Sequence, residues 1–475
     1  MEALNLIKEY QNGLFGYLEE FFIRITGQSA QDFAPLEDFS IAIKKNPKKL
    51  ARRTPEAIEW VFKTIMPYYA DKGMGISPLA KELGGLKLVV GGSGRIGEAH
   101  IDSIQQTLLY ADTVLIPDPF LAWIESSREG DRFREINLLK SAFLLLQLKP
   151  IIDANLTIPA IFVFPSFEKL LEEHDPETFD KQRELITDVF IYYVSPSINT
   201  FDDIQKFCTD NPDAFLSQVE KHNLFVPPGS KIGDPINKAL SSYEEFILTW
   251  RSSKFIEYFS GLTPTLKILT GIMERLAPQH HLLENSEELR ANPLICLEEH
   301  AHYFKLIART NSQRLVDLSL LDRKQTAIMD ALGSREFQWL SRVPMKALIE
   351  LRNNNENAKF RNRLFRIAER LHEAELDKFN IVITEINKDI SEMIDAHDRE
   401  VKEIQQKYSR KHGQTAVLAW AALSALLIPF LAPILGKGAP LILAAQYTRD
   451  KIEELIAKSK ASKSLFGVLA RSKLK

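Results

Sequence analysis

Between residues 84 and 200 the chain alternates short apolar runs with helical patterns, and that alternation limits how it can fold more than any other feature. The runs are LKLVV (Leu86–Val90), TVLIP (Thr113–Pro117), IPAIFVFP (Ile158–Pro165) and DVFIYYV (Asp188–Val194). Each is rich in β-branched and aromatic residues, and turn formers follow each one. Between them the spacing is helical: Ile101, Ile104 and Leu108 share one face of the first such segment, and 131–148 and 167–187 supply the others. Strands this apolar have no polar face to turn to water. They belong in a parallel sheet covered on both sides, with helices as the crossovers.

The prediction is therefore a four-stranded parallel α/β domain over 84–200. A helical segment, 1–83, precedes it, with Leu4, Ile7, Leu14, Leu18 and Phe22 forming an apolar stripe. Beyond residue 200 strand signals fade. Phe201–Gln218, Tyr243–Leu276 and Asn285–Leu351 read as helices of a larger helical domain, 201–356. From 357 to 412 the pattern Phe360, Leu364, Ile367, Leu371 resumes at Phe379, Ile383, Ile386 and Ile390 without proline or glycine. That predicts a long spine or coiled-coil helix, or a helical hairpin turning near Asp377. The last segment, 413–475, reads as an apolar hairpin with a basic tail. The expected class is an α-rich α/β protein: a small parallel α/β domain joined to a large helical domain with a spine helix and a C-terminal hairpin.

Composition narrows the function. Across 475 residues there are two cysteines, Cys208 and Cys296, too few for a disulfide scaffold or a cysteine-rich metal site. A net charge of −3 creates no field that would draw nucleic acid. The basic stretch KKNPKKLARR (Lys44–Arg53) lacks interleaved aromatics for base stacking, so nucleic acid is not an expected partner. The opening MEALNLIKEY lacks the basic start and unbroken apolar stretch of a secretory signal, which points to the cytoplasm.

One motif carries ligand chemistry. VVGGSGRIGEAHIDSI places Gly92, Gly94 and Gly97 at G-x-G-x-x-G spacing between the first run and the first helix. Glycines there let backbone N–H groups approach a phosphate, and the helix N-terminus adds positive potential. Ligands of an open parallel sheet bind outside the carboxyl ends of its strands. Those ends carry Gly92, Ser93, Gly94, Arg95 and Gly97, then Asp118 in the position of a ribose-binding acid, then Ser166 with Glu168, and Ser195. The motif is short. Glu98 and His100 stand where small residues would pack the helix on the sheet, and Asp118, followed by Pro119, also suits a plain turn. No lysine–serine or lysine–threonine pair follows the glycines, which excludes a P-loop. The cofactor is therefore left open.

No catalytic constellation can be singled out. His280, His281, His300 and His302 lie near Glu298 and Glu299, but His300 and His302 point away from each other on a helix, so no metal site is expected. The segment AVLAWAALSALLIPFLAPIL, Ala416–Leu435, is 20 residues with Ser424 its one polar member, long enough to cross a hydrocarbon core. Lys407, Arg410 and Lys411 precede it, and Arg449, Lys451 and Lys458 follow. Both flanks thus favour the cytoplasmic side, as in a re-entrant hairpin. A buried central helix would have the same composition.

Taken together, the leading expectation is a membrane-associated interaction or effector protein, peripheral or re-entrant at the inner face of the membrane. In it the α/β domain senses a ligand, and a long helix couples it to the hairpin or mediates self-association or a protein partner. This layout resembles, in organisation alone, effectors of bacterial conflict and antiviral defence systems. An anionic membrane surface is the partner this implies. The alternative is a soluble nucleotide- or phosphate-ligand-binding α/β enzyme using the Gly92–Gly97 loop.

Overall fold

The computed structural model describes residues 2–33, 47–73, 75–91, 96–108, 111–125, 132–154, 156–166, 176–251, 253–317 and 345–355, together with Phe39 and a few isolated positions beyond 337. Its centre is a parallel sheet of β1 (Lys87–Val90), β2 (Thr113–Pro117), β3 (Ile161–Phe164) and β4 (Asn292–Leu294), in the spatial order β3-β2-β1-β4. Leu88 pairs with Val114 on one side and Asn292 on the other, and Leu115 pairs with Phe162. Every residue of β1, β2 and β3 is buried, as a parallel sheet covered on both faces requires.

The cover comes from both ends of the chain. Helix α1 (Glu2–Thr26) turns Ile7, Leu14, Leu18, Phe22 and Ile25 inward at helical spacing. Its Gln11 is 2% exposed and stands beside the outer edge of β3. The Gln11 amide donates to the Val163 carbonyl at 2.8 Å and accepts from the Val163 N–H at 2.9 Å. One side chain thus occupies the N–H and C=O of Val163, which this edge strand would otherwise leave open to another chain. Helix α2 (Pro47–Trp60) runs on through two π-helical turns, Val61–Ile65 and Tyr69–Gly73, on either side of Met66–Tyr68. Pro67 has no N–H to donate four residues back, which accounts for the departure from α-helical bonding there.

The crossover from β1 to β2 is α3 (Glu98–Thr107). Three helices lie between β2 and β3: α4 (Pro119–Glu125), α5 (Arg132–Leu146) and the short α6 (Lys149–Ile152). After β3 the chain leaves the sheet and builds a second, all-helical core. That unit comprises α7 (Pro176–Tyr193), α8 (Phe201–Asp210), α9 (Pro212–His222), α10 (Ile236–Trp250), α11 (Ser253–Ser260) and the first half of α12 (Pro264–Glu288). The second half of α12 returns to the sheet, where Leu282 and Leu289 join the α/β core ahead of β4. Helix α13 (Glu298–Asp317) follows β4 and touches both cores through Phe304 and Tyr303. Helix α14 (Met345–Asn353) locks on last: Arg352 donates to the carbonyls of Leu108, Ala111 and Asp112 between α3 and β2.

The α-rich α/β class and the four-stranded parallel sheet agree with the sequence reading, but the fourth strand is a different segment. Asp188–Tyr193 forms the last turns of α7, not a strand. Ile186, Val189, Phe190 and Tyr193 repeat at i, i+3, i+4 and i+7 and fill the second core, so helical periodicity outweighs local β propensity. The strand that replaces it is Asn292–Leu294, within the stretch read as helix. Pro293 has no N–H for a ladder, which restricts it to an edge, and β4 is an edge strand. The long helix expected over 357–412 and the hairpin over 413–475 lie outside the described residues, apart from isolated positions. Of the apolar run, Val417–Leu418 is described, as two residues paired antiparallel with Gln338–Trp339. Among the described residues no helix is long and apolar enough to cross a membrane.

Candidate functional site

The strand order fixes where a ligand would enter. From β1 the chain steps to β2 and then β3 on one side, whereas β4 lies on the other side of β1. The topological switch point therefore falls between β1 and β4, and the loops leaving their carboxyl ends flank it. The loop after β1 is the stretch of sequence that carries the glycine motif. Gly92, Ser93, Gly94 and Arg95 themselves lie outside the described residues, as does Glu168.

The two ends of the turn are described. Gly91 is the tight position: a Cβ there would meet Leu282 of α12 at 3.2 Å. Gly97 is open, with nothing within 4 Å of an added Cβ. In a dinucleotide fingerprint the third glycine is needed for close helix–strand packing, and Gly97 has no such neighbour. Gly97 instead opens α3. Its carbonyl accepts from the N–H groups of His100 and Ile101, at 3.1 and 3.3 Å, and its own N–H donates to His100 Nδ1 at 3.2 Å. His100 thus supplies one half of a capping box, its imidazole accepting from the N-cap N–H where a glutamate usually does, while Gly97 has no side chain to complete the other half. Because Nδ1 accepts, the ring proton of the neutral imidazole is on Nε2. Burial holds the His100 pKa down at about 4, so the ring is neutral at physiological pH.

The loop leaving β4 brings Cys296 to the same region. The Cys296 thiol is hydrogen-bonded with Ser103 of α3, and burial pushes its pKa up to about 12. It is a protonated thiol, not a thiolate nucleophile, at neutral pH. The rings of His100 and His300 meet edge to face with centroids 6.2 Å apart. This Ser103–Cys296 and His100–His300 arrangement is not legible in the sequence, because β4 returns to the sheet only after the whole helical excursion.

Asp118 is placed at the carboxyl end of β2, where the motif reading expected it, but its carboxylate is enclosed. It is 0% exposed. Oδ1 accepts from the Phe120 and Leu121 N–H groups at 2.8 and 3.3 Å, capping α4, and Oδ2 accepts from the Tyr69 hydroxyl at 2.5 Å. Burial raises its pKa to about 6, against these three hydrogen bonds, which lower it. Burial first, and this carboxylate second, raise the pKa of Tyr69 and Tyr10. Ser195, expected at a strand end, instead follows α7. Its N–H donates to the Phe190 carbonyl and its hydroxyl meets that of Ser197 at 2.8 Å.

The histidines of 280–302 are dispersed. His302 Nε2 meets the Asn223 carbonyl at 2.8 Å, His281 meets Gln182, and His300 meets His100. Among the described residues no group of three or more His, Cys, Asp or Glu is placed to hold a metal ion. A separate cleft of about 360 Å³ opens between α1, α6 and the start of β3, at the amino edge of the sheet. Lys149, on its wall, is paired with Asp153 at 2.6 Å and Glu19 at 3.8 Å.

No family model matches this chain, nor does any curated protein or solved structure.

Proposed function

We propose that this protein binds a small phosphate-bearing ligand, of the nucleotide class, at the carboxyl edge of the sheet between β1 and β4. The observation that carries the reading is topological. In the order β3-β2-β1-β4 the glycine-rich turn leaves β1 at the switch point and leads directly into the N-terminus of α3. Backbone N–H groups and the helix dipole both favour an anion there. Asp118 caps α4 and holds Tyr69, so the recognition of a ribose is not assigned to it. No chemical step is assigned either, since the thiol and imidazole nearby are protonated and neutral.

The test is thermal unfolding of the full chain with ADP, NAD and inorganic pyrophosphate, beside Gly92→Val and Gly94→Val variants. A ligand at a hundredfold excess over its Kd stabilises by about 2.7 kcal/mol. The expected result is a rise in melting temperature with at least one of these compounds, lost in both variants. Absence of any shift at millimolar concentration overturns the reading.

A second reading rests on Ala416–Leu435, whose apolar character on every face demands cover by lipid or protein. In it the protein is a membrane-associated effector whose basic tail engages anionic headgroups at the inner face of the membrane. Segment 357–412 couples it to the ligand site or to a second copy. Fractionation of the full chain tests this. The wild type should pellet with membranes, and Leu426→Lys with Leu427→Lys should release it while it stays folded. A wild type that never pellets contradicts the reading.

A further inference from the structure

The cleft of about 360 Å³ between α1, α6 and the start of β3 has no part in the β1–β4 edge, and its size is that of a small-molecule site. One wall is a stripe of α1. Lys8, Asn12, Gly16 and Glu19 line it at i, i+4, i+8 and i+11 spacing, beside the buried apolar face of the helix. Gln11, through its two hydrogen bonds to Val163, ties this wall to β3, so the cleft is built into the free protein. Gly16 stands in the middle of a 25-residue helix, where glycine is among the poorest formers. Gly13, three residues earlier, is explained by packing, because the Tyr68 ring takes the space a side chain would fill. Gly16 is exposed, with nothing within 4 Å of an added Cβ. No neighbour in the described residues requires a glycine there. What it does is widen the cleft it lines.

Charge differs between the two ends of that stripe. Lys149, at the start of α6, lies between Asp153 at 2.6 Å and Glu19 at 3.8 Å. Two carboxylates share one ammonium, so this end carries an excess of one negative charge and favours a second cation. Glu19 is also steadied by the Ser29 hydroxyl, which donates to Oε1 at 3.3 Å. Lys8 is about 16 Å away along the helix axis. It is half-buried and forms no ion pair among the described residues, so its end favours an anion. Asn12, between Lys8 and Gly16, offers an amide that both donates and accepts. The facing wall is apolar, with Ile152 of α6, then Leu156 and Pro159.

We propose that this cleft binds a short peptide with free termini, its carboxylate at Lys8, its amino group at Glu19 and Asp153, and its middle residue lying across Gly16 against Ile152 and Leu156. A cationic end and an anionic end separated by an apolar wall match a zwitterion. A nucleotide or a fatty acid would be repelled at the Glu19 end, and a diamine at Lys8. Three extended residues span about 10 Å, and the side chains of Lys8 and Glu19 are long enough to cover the remainder. Asn12 stands where it meets the main chain of such a ligand.

The test is isothermal titration of the full chain with the tripeptide alanyl-leucyl-alanine, and with the same peptide acetylated and amidated at its ends. Wild type is compared with Lys8→Gln, Glu19→Gln and Gly16→Leu. The expected result is saturable binding of the free peptide, with a roughly tenfold or greater loss for the blocked peptide and for each charge variant. Gly16→Leu should abolish binding by filling the cleft, while the melting temperature of the free protein does not fall, since leucine is the better helix former. That combination separates a binding role from a structural one. No binding of the free peptide at millimolar concentration overturns the proposal. So does equal binding of the blocked peptide, or wild-type affinity in Gly16→Leu. If Gly16→Leu does not fold, the charge variants decide: a loss in both supports the proposal, and unchanged affinity in either overturns it.

Discussion

Two buried charged side chains, one in each core, are treated in opposite ways. Asp118, at the carboxyl end of β2, has all of its obligations met inside the chain: two backbone N–H groups of α4 and the Tyr69 hydroxyl converge on it. Arg275, where α12 passes from the helical core to the sheet, has two donors with no acceptor among the described residues. Burial alone does not mark a functional residue. A satisfied group such as Asp118 explains itself as a cap and a staple between Tyr69 and α4. Arg275 is the contrasting case, a buried group whose Nε and Nη2 find no acceptor among the described residues.

The sharpest way to break this contrast is Asp118→Ala. It orphans two helix-capping donors and a buried hydroxyl, and the expected cost is about 3–4 kcal/mol in denaturant unfolding. A cost below about 1 kcal/mol would mean that the enclosure of Asp118 is incidental. The pH dependence comes next. A carboxyl raised from an ordinary value near 3.8 to about 6 binds its proton more tightly in the folded than in the unfolded state. Its contribution is therefore greatest below pH 4 and is lost as pH rises to 6. The shift of about two units corresponds to roughly 3 kcal/mol less stability at pH 7 than at pH 4 from this group. Asp118→Asn should flatten that part of the profile, as measured by urea melts between pH 4 and 7.

A smaller effect of opposite sign is expected on the other side of the comparison. Arg275→Met removes a buried cation whose Nε and Nη2 find no acceptor among the described residues, and replaces it with a flexible apolar chain of similar reach. The ligand-free protein should gain about 1 kcal/mol. A loss instead would show that the guanidinium is satisfied in solution. The smallest pair concerns the turn. Gly91→Ala presses a methyl onto Leu282 and should cost about 1–2 kcal/mol, whereas Gly97→Ala meets nothing and should stay within about 0.5 kcal/mol. Equal costs would remove the distinction between the two ends of the turn.

Much of the α/β core was legible because β1, β2 and β3 are continuous apolar runs punctuated by turn residues, a pattern a doubly covered strand imposes on its sequence. β4 was not, because three residues beginning Asn-Pro carry no period. Its place is set by the pairing of Val89 with Pro293 across the sheet. DVFIYYV misled because β-branched and aromatic residues also suit a helix buried on one side. At the site, the glycine turn was visible as a local motif. The Gly91–Leu282 contact, the Ser103–Cys296 hydrogen bond and the enclosure of Asp118 by Tyr69 were not, since each joins residues far apart in the chain. Arg275 was invisible for a plainer reason: an arginine in a helix reads as a solvated one, and only packing reveals that it is buried.

The central claim is that a phosphate-bearing ligand binds at the carboxyl edge of the sheet between β1 and β4. Hydrogen–deuterium exchange of the full chain with and without saturating ADP tests it most directly, because it locates the ligand without assuming a reaction. The account expects added protection over Gly91–Thr107, with α1 and α6 unchanged. Protection confined to the cleft between α1, α6 and β3, or no change anywhere at saturating concentration, would contradict it.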